Sequence, residues 1–251
     1  MKSPTLVFVH GWGQSAQTWH AQMDYFGERH HVLAVNLPGH GGAPDAALET
    51  WEDALLAKLP SEPVVFVGWS LGGMLGQRLA TTHAARLAGL VLLSTTPRFR
   101  LRPDWEYGCT DEVFERFRDS LKTDAPRLLD RFFALMLQGD ALDRKQYLGI
   151  VRTAIDRRHP ASPDGLHCGL QLLDELDLRT DLPGISLPAL VVHGAADTVT
   201  PVGAAHYLAA QLPAATLRIM QAGHAPHLTQ PLMFNELLEE WCQNNISTQL
   251  R

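Results

Sequence analysis

One stretch constrains this chain more than any other: Val64-Val65-Phe66-Val67-Gly68-Trp69-Ser70-Leu71-Gly72-Gly73. Its opening run is short, apolar and rich in β-branched residues, so it reads as a buried strand. The stretch that follows, Met74 to Ala80, reads as a helix. Between them Gly68-Trp69-Ser70-Leu71-Gly72 matches G-x-S-x-G, the pattern of a sharp strand-to-helix turn that presents a nucleophile. Such a turn strains the serine and exposes its hydroxyl. Its glycines let neighbouring backbone pass where a Cβ would collide. The first N–H groups of the helix have no intrahelical partner and can receive a developing negative charge. An ordinary serine in a strand-to-helix loop would show the same pattern, so the assignment depends on what else the chain supplies.

Around this unit, short apolar segments alternate with helical patterns, the arrangement of a mostly parallel α/β sheet flanked by helices. Strands are predicted near 5–10, 31–36, 64–68, 88–94, 188–193 and 216–220, and helices near 16–27, 47–59, 71–82, 201–211 and 231–243. Residues 97–181 break the alternation. They hold helical patterning and no convincing strand, with Leu128, Leu129, Phe132, Phe133, Leu135 and Met136 at helical spacing. We read them as a helical lid inserted between core strands, so that 1–96 and 182–251 form the core and 97–181 the lid. A lid there covers the C-terminal edge of the sheet, where open α/β sheets bind ligands.

A chain of 251 residues suits one such domain with an insertion. Its net charge of −6 excludes a global nucleic-acid footprint. Cys109, Cys168 and Cys242 are odd in number and far apart, which fits a reducing compartment rather than a disulfide framework. No zinc-type spacing occurs. The apolar run Thr5 to His10 is too short for a signal peptide, and no run reaches membrane-spanning length. The expectation is a soluble cytoplasmic protein with neither metal nor cofactor.

A serine hydroxyl needs a base, and the base needs an orienting group. Asp197 follows the apolar segment ending Val191-Val192-His193-Gly194, and His224 follows the one ending Ile219-Met220. The chain order Ser70, Asp197, His224 is that of the α/β-hydrolase fold, and a parallel sheet brings all three strand ends to one edge. Asp156, Asp181, His193 and His227 are rival members of the set. An oxyanion hole needs two N–H donors, and the candidates are Leu71 and, from the loop His10-Gly11-Trp12-Gly13, Trp12.

Taken together, His10-Gly11-Trp12-Gly13, Gly68-Trp69-Ser70-Leu71-Gly72-Gly73, Gly223-His224-Ala225-Pro226 and the lid resemble the pimeloyl-[acyl-carrier protein] methyl ester esterase family of biotin synthesis over nearly the whole chain. The resemblance implies hydrolysis of the distal methyl ester of a carrier-bound pimeloyl chain, with some activity on small esters and acyl-carrier protein as partner. It implies substrate contacts at Trp12, Ser70, Leu71 and His224, and an acyl channel along Phe132, Phe133, Ala134, Leu135 and Met136. It also implies carrier contacts at Arg127, Arg131 and Arg144. A fourth family arginine falls on Leu148 here, and Arg152, one turn later, is its candidate substitute. The family's leading strand pair is absent or cut to a stub, and the loop after Leu37-Pro38-Gly39-His40-Gly41 is short.

Charge patterning points the same way independently of the resemblance. Residues 116–158 hold ten Lys/Arg against six Asp, a net of +4 within a chain of net −6. Arg127 and Arg131 share a helical face. A basic lid on an acidic body steers a polyanionic partner to the active-site mouth. A monomeric serine esterase is the leading reading. A short-chain carboxylesterase, a C–C bond hydrolase of the same fold and a non-catalytic hydrolase-fold receptor are the alternatives.

Overall fold

The computed structural model describes residues 5–246. Six strands form one parallel sheet in the order β2-β1-β3-β4-β5-β6. They are β1 (Leu6–Val9), β2 (Val32–Val35), β3 (Val64–Trp69), β4 (Leu87–Leu93), β5 (Ala189–Gly194) and β6 (Ala215–Met220). Every residue of β1, β3 and β5 is buried, and all but one of β4, whereas the edge strands β2 and β6 are largely half-buried. Helices cover both faces of the inner strands, which is why these strands read as unbroken apolar runs rather than as alternating ones.

The two-residue period of a strand divides the core between the faces. Val7, Val9, Phe66, Leu90 and Val191 belong to one cluster, together with helices α2 (Trp51–Leu56) and α3 (Leu71–Thr82). Leu6, Phe8, Val65, Val67, Trp69 and Val192 belong to the other, with α1 (His20–Phe26) and the last helix. Fully burying one such side chain contributes roughly 1.5–3 kcal/mol.

Each strand predicted from the sequence lies within about a residue of its observed place. The first two helices are shorter than their patterns suggest. Each begins as a 3₁₀ turn, Ala16–Trp19 before α1 and Leu48–Thr50 before α2. The Ser15 hydroxyl accepts from Gln17 N–H and caps the first of these turns.

Between β4 and β5 the chain forms α4 (Asp111–Met136), α5 (Arg144–Ala154) and α6 (Pro163–Glu175). The insertion contains no strand among the described residues, only isolated bridges, one of which joins Arg98 to Asp177. Those two side chains also form an ion pair, as do Arg100 and Asp174, so the outgoing and returning chain are tied together. α4 is kinked: Asp124 has non-helical angles, its carboxylate accepts from Arg127 N–H at 3.2 Å, and Pro126 follows. An N-cap aspartate with a nearby proline restarts a helix, and here it restarts the segment that carries Arg127 and Arg131. After β5 come α7 (Gly203–Gln211), a short α8 (Pro226–Thr229) that the sequence pattern does not announce, and α9 (Pro231–Asn245). No described helix is long and apolar enough to cross a membrane.

Candidate active site

Ser70 leaves β3 at the centre of the sheet with φ 54° and ψ −117°. This region is sparsely populated for a residue with a Cβ and costs about 1–3 kcal/mol, so surrounding bonds must hold it. Ser70 N–H donates to Leu93 O at 3.0 Å, and Ser70 O accepts the Thr95 hydroxyl at 2.6 Å and Gly73 N–H at 2.9 Å. Two residues on, a Cβ at Gly72 would fall on the carbonyl oxygens of Val9 and His10. The elbow and the end of β1 therefore pack backbone against backbone, and only glycine permits that approach.

Asp197 and His224 emerge from the adjacent ends of β5 and β6. His224 Nδ1 donates to Asp197 Oδ2 at 2.8 Å, and both side chains are buried. The same oxygen accepts the Thr200 hydroxyl at 2.8 Å and lies 3.1 Å from His193 Nε2. The other oxygen accepts Val199 N–H at 2.8 Å and Thr200 N–H at 2.9 Å. Burial alone would raise the carboxyl pKa, but the adjoining histidines and these donors hold it well below the usual carboxylate range. Asp197 is thus a fixed anion. With its proton on Nδ1, His224 leaves Nε2 as an acceptor, and that nitrogen is buried without a hydrogen-bond partner among the described residues, Ser70 Oγ included. Serine–histidine contacts of this kind tighten when substrate binds. Trp69, beside the serine, donates its indole N–H to His224 O at 2.9 Å and so ties the elbow to the histidine loop.

The backbone N–H groups of Leu71 and Trp12 have no acceptor among the described residues, as an oxyanion hole requires. Trp12 is pinned by its side chain: the indole N–H donates to Leu166 O at 2.9 Å, and the ring packs on Phe117 and Phe132. The loop that holds Trp12 is fastened by two histidines for which sequence reasoning assigned no role. His10 donates from Nδ1 to Gly11 O at 2.8 Å and accepts Leu37 N–H on Nε2 at 3.0 Å. His40 donates from Nδ1 to Pro38 O at 2.8 Å and accepts Gly13 N–H on Nε2 at 3.2 Å. Both must stay neutral to play these roles. Burial lowers the His10 pKa to about 3 and lowers that of His40 as well. The visible signal was a histidine followed by glycine, directly after β1 in one case and in the loop after β2 in the other.

Of the rivals, Asp156 accepts loop N–H groups of the insertion, and Asp181 begins the Leu182–Gly184 turn. His193 buttresses Asp197. His227 is fully buried between Trp19 and Trp69, with neither ring nitrogen bonded.

A cavity of about 260 Å³ opens beside Trp12 and extends under the insertion, lined by Phe117, Phe132, Leu135, Leu170 and Val199 among others. No charged side chain lines it. Phe132 and Leu135 of the predicted channel thus face this space. Phe133 and Met136 pack into the core cluster on the opposite sheet face, and half-buried Ala134 does not line the cavity. Arg127, Arg131, Arg144 and Arg152 are exposed, and none is paired with a carboxylate among the described residues. Lys145, Arg157 and Arg158 share that state, whereas Arg98, Arg100, Arg116, Arg118 and Arg179 are all ion-paired. Leu148, about half exposed, lies on α5 between Arg144 and Arg152. Among the described residues no cluster of three His, Cys, Asp or Glu is placed to hold a metal ion.

The sequence matches the alpha/beta hydrolase family over residues 6–237. It is 39% identical to a pimeloyl-[acyl-carrier protein] methyl ester esterase of Aromatoleum aromaticum, over 96% of this chain and 98% of that one. It is 37% identical to a protein of the same name from Nitrosomonas europaea, over 92% of each. Among solved structures, an esterase from Exiguobacterium antarcticum superposes with a TM-score of 0.85, covering 96% of this chain and 92% of that one at 22% identity. A bromoperoxidase from Bacillus anthracis superposes equally well at the same identity and coverage. At that identity the superpositions speak for the fold alone.

Proposed function

The chain belongs to the alpha/beta hydrolase family and, within it, to the pimeloyl-[acyl-carrier protein] methyl ester esterases, and on that footing we propose that it hydrolyses the methyl ester of a pimeloyl chain held on acyl-carrier protein. Methanol leaves, and the distal carboxylate is freed for biotin synthesis. The observation that carries the chemistry is the buried Asp197–His224 pair with its open Nε2 at the sheet edge where Ser70 is held strained.

In this reading His224 Nε2 takes the Ser70 proton as Oγ attacks the ester carbonyl, and Asp197 stabilises the resulting imidazolium. The Leu71 and Trp12 amides hold the oxyanion; losing one such donor typically costs about 10²–10³ in turnover. His224 returns the proton to the departing methoxide. Water, activated by the same histidine, then releases the acid and regenerates the serine hydroxyl.

The insertion, residues 97–181, acts as a lid, and the uncharged cavity beneath it receives apolar substrate. A methyl ester enters such a space at little cost. Arg127, Arg131, Arg144 and Arg152, unpaired with any carboxylate among the described residues, face the acidic carrier and its phosphate-bearing arm. Short free esters need none of these cations. The protein works as a cytoplasmic monomer.

Reversing two lid charges tests the carrier reading. Arg127→Glu with Arg131→Glu should lower kcat/KM for the carrier-bound ester at least about tenfold and leave p-nitrophenyl acetate within about twofold. The loss should grow less marked at high salt. Equal effects on both substrates would count against carrier recognition by this surface.

A further inference from the structure

The turn that ends α4 lies against both catalytic loops. Met136 O accepts His224 N–H at 3.0 Å, and Asp140 Oδ2 accepts Gly223 N–H at 2.8 Å. A Cβ at Gly223 would collide with Gln138 O, so the histidine loop runs backbone to backbone along this turn. On its other side Gly139, at φ +92°, rests on Ala196, the residue before Asp197. The two loops are themselves joined, with Ala196 N–H donating to Ala222 O at 3.0 Å. Asp140 is half-buried, and its second oxygen lies 3.4 Å from Gln230 Nε2, whose main partner is Gln221 O at 2.7 Å. Residues 136–140 of the insertion therefore form one wall of the frame that positions Asp197 and His224. The carboxylate that accepts from the histidine loop's backbone across that wall lies 83 positions before the glycine it holds.

We propose that Asp140 is a positioning residue for His224: by accepting the Gly223 N–H it fixes the backbone one residue before the base and so keeps Nε2 where the Ser70 proton is transferred. This rests on the reading of His224 as the general base. It does not depend on which acyl group is cleaved, because the bond acts on the chemical step and not on substrate contacts. Without the carboxylate, Gly223 N–H loses its acceptor, and of the two hydrogen bonds that the α4 turn makes to the Gly223-His224 backbone only the one to the Met136 carbonyl remains. A displacement of an ångström or less at a reacting group is enough to slow turnover by one to two orders of magnitude.

The test uses p-nitrophenyl acetate, which needs no carrier, on the full chain. Asp140→Ala should lower kcat about tenfold or more, with KM within about twofold of the parent and fluorophosphonate labelling of Ser70 slowed in parallel. Asp140→Asn keeps an acceptor oxygen at the same place and should restore kcat to within about threefold. Asp140→Ser, too short to reach Gly223, replaces the alanine variant if that protein does not fold, and should show the same kcat loss. The proposal is overturned if the alanine or serine variant keeps kcat within twofold. It is also overturned if the asparagine variant loses as much as alanine in step with a fall in Tm, the mark of a purely structural role. His224→Ala separates the two claims: full loss there with no effect at Asp140 sinks only this inference, whereas retained activity in His224→Ala sinks the underlying mechanism.

Discussion

Replacing Asp197 by asparagine isolates what the carboxylate does, because the shape is kept and only the acceptor capacity changes. Asp197 receives His224 Nδ1–H and the Thr200 hydroxyl on one oxygen, and two backbone N–H groups on the other. An amide has one oxygen for all of them. Val199 N–H and Thr200 N–H are fixed in the backbone and cannot turn away, so the amide oxygen must take their side. The NH₂ group then faces His224 Nδ1. Two N–H groups cannot share that 2.8 Å contact, so His224 moves its proton to Nε2 and can no longer accept from Ser70. The same substitution in a serine protease triad drops kcat by about 10⁴, equivalent to about 5 kcal/mol of transition-state stabilisation, and a similar loss is expected here. Stability should fall by about 1–3 kcal/mol, because the Thr200 hydroxyl also faces a donor instead of an acceptor. Steady-state hydrolysis of p-nitrophenyl acetate at neutral pH, with a melting curve for each protein, reads both quantities. A folded Asp197→Asn variant with kcat within tenfold of the parent would refute the role of Asp197 as the orienting anion.

Two further outcomes follow from groups away from the triad. His10, His40 and His227 are buried and neutral, with pKa values pushed down by burial, for His10 to about 3. Between about pH 6.5 and that value the unfolded chain binds the His10 proton and the folded chain does not. Stability is therefore full above about pH 7 and falls as pH drops, by slightly more than 1 kcal/mol per pH unit for His10, with the other two acting in the same direction. Asp197 does not add to the loss between pH 7 and pH 5, since its contribution is lost only as pH falls through the ordinary carboxylate range near 4. A urea midpoint that failed to drop between pH 7 and pH 5 would contradict this. Leu135→Trp should narrow the 260 Å³ cavity, raising KM for long-chain acyl esters severalfold while sparing acetate. Equal effects on both esters would remove the cavity from the substrate path.

The parts of the fold that the sequence reveals are those ruled by local pattern. β3, α3 and the elbow between them are legible because an apolar β-branched run, a G-x-S-x-G turn and a helical stretch each point to the same local structure. The 3₁₀ starts before α1 and α2 are not legible, since 3₁₀ and α turns carry the same apolar spacing over four residues. The short α8 escapes because one turn is too brief for a period. In the site, Ser70, Asp197 and His224 stand out by chain order at strand ends, while the residues that hold them do not. His10 meets Leu37, Trp12 meets Leu166 and Asp140 meets Gly223 only after the chain has folded. The lid pattern has the same limit. The helical spacing of Leu128 to Met136 marks a buried stripe, but the kink at Asp124 and the packing beyond it divide that stripe, with Phe132 and Leu135 toward the cavity and Phe133 and Met136 toward the core.

In the proposed reaction Ser70 cleaves the methyl ester while the acyl chain is still attached to the carrier. The intact mass of a pimeloyl-carrier methyl ester, incubated with this protein in heavy-oxygen water, tests it most directly. The carrier should lose the mass of one CH₂, gain one heavy oxygen in the new carboxylate and keep its thioester, and none of this should happen with Ser70→Ala. A carrier of unchanged mass, or one stripped of its acyl chain by thioester cleavage, would contradict it.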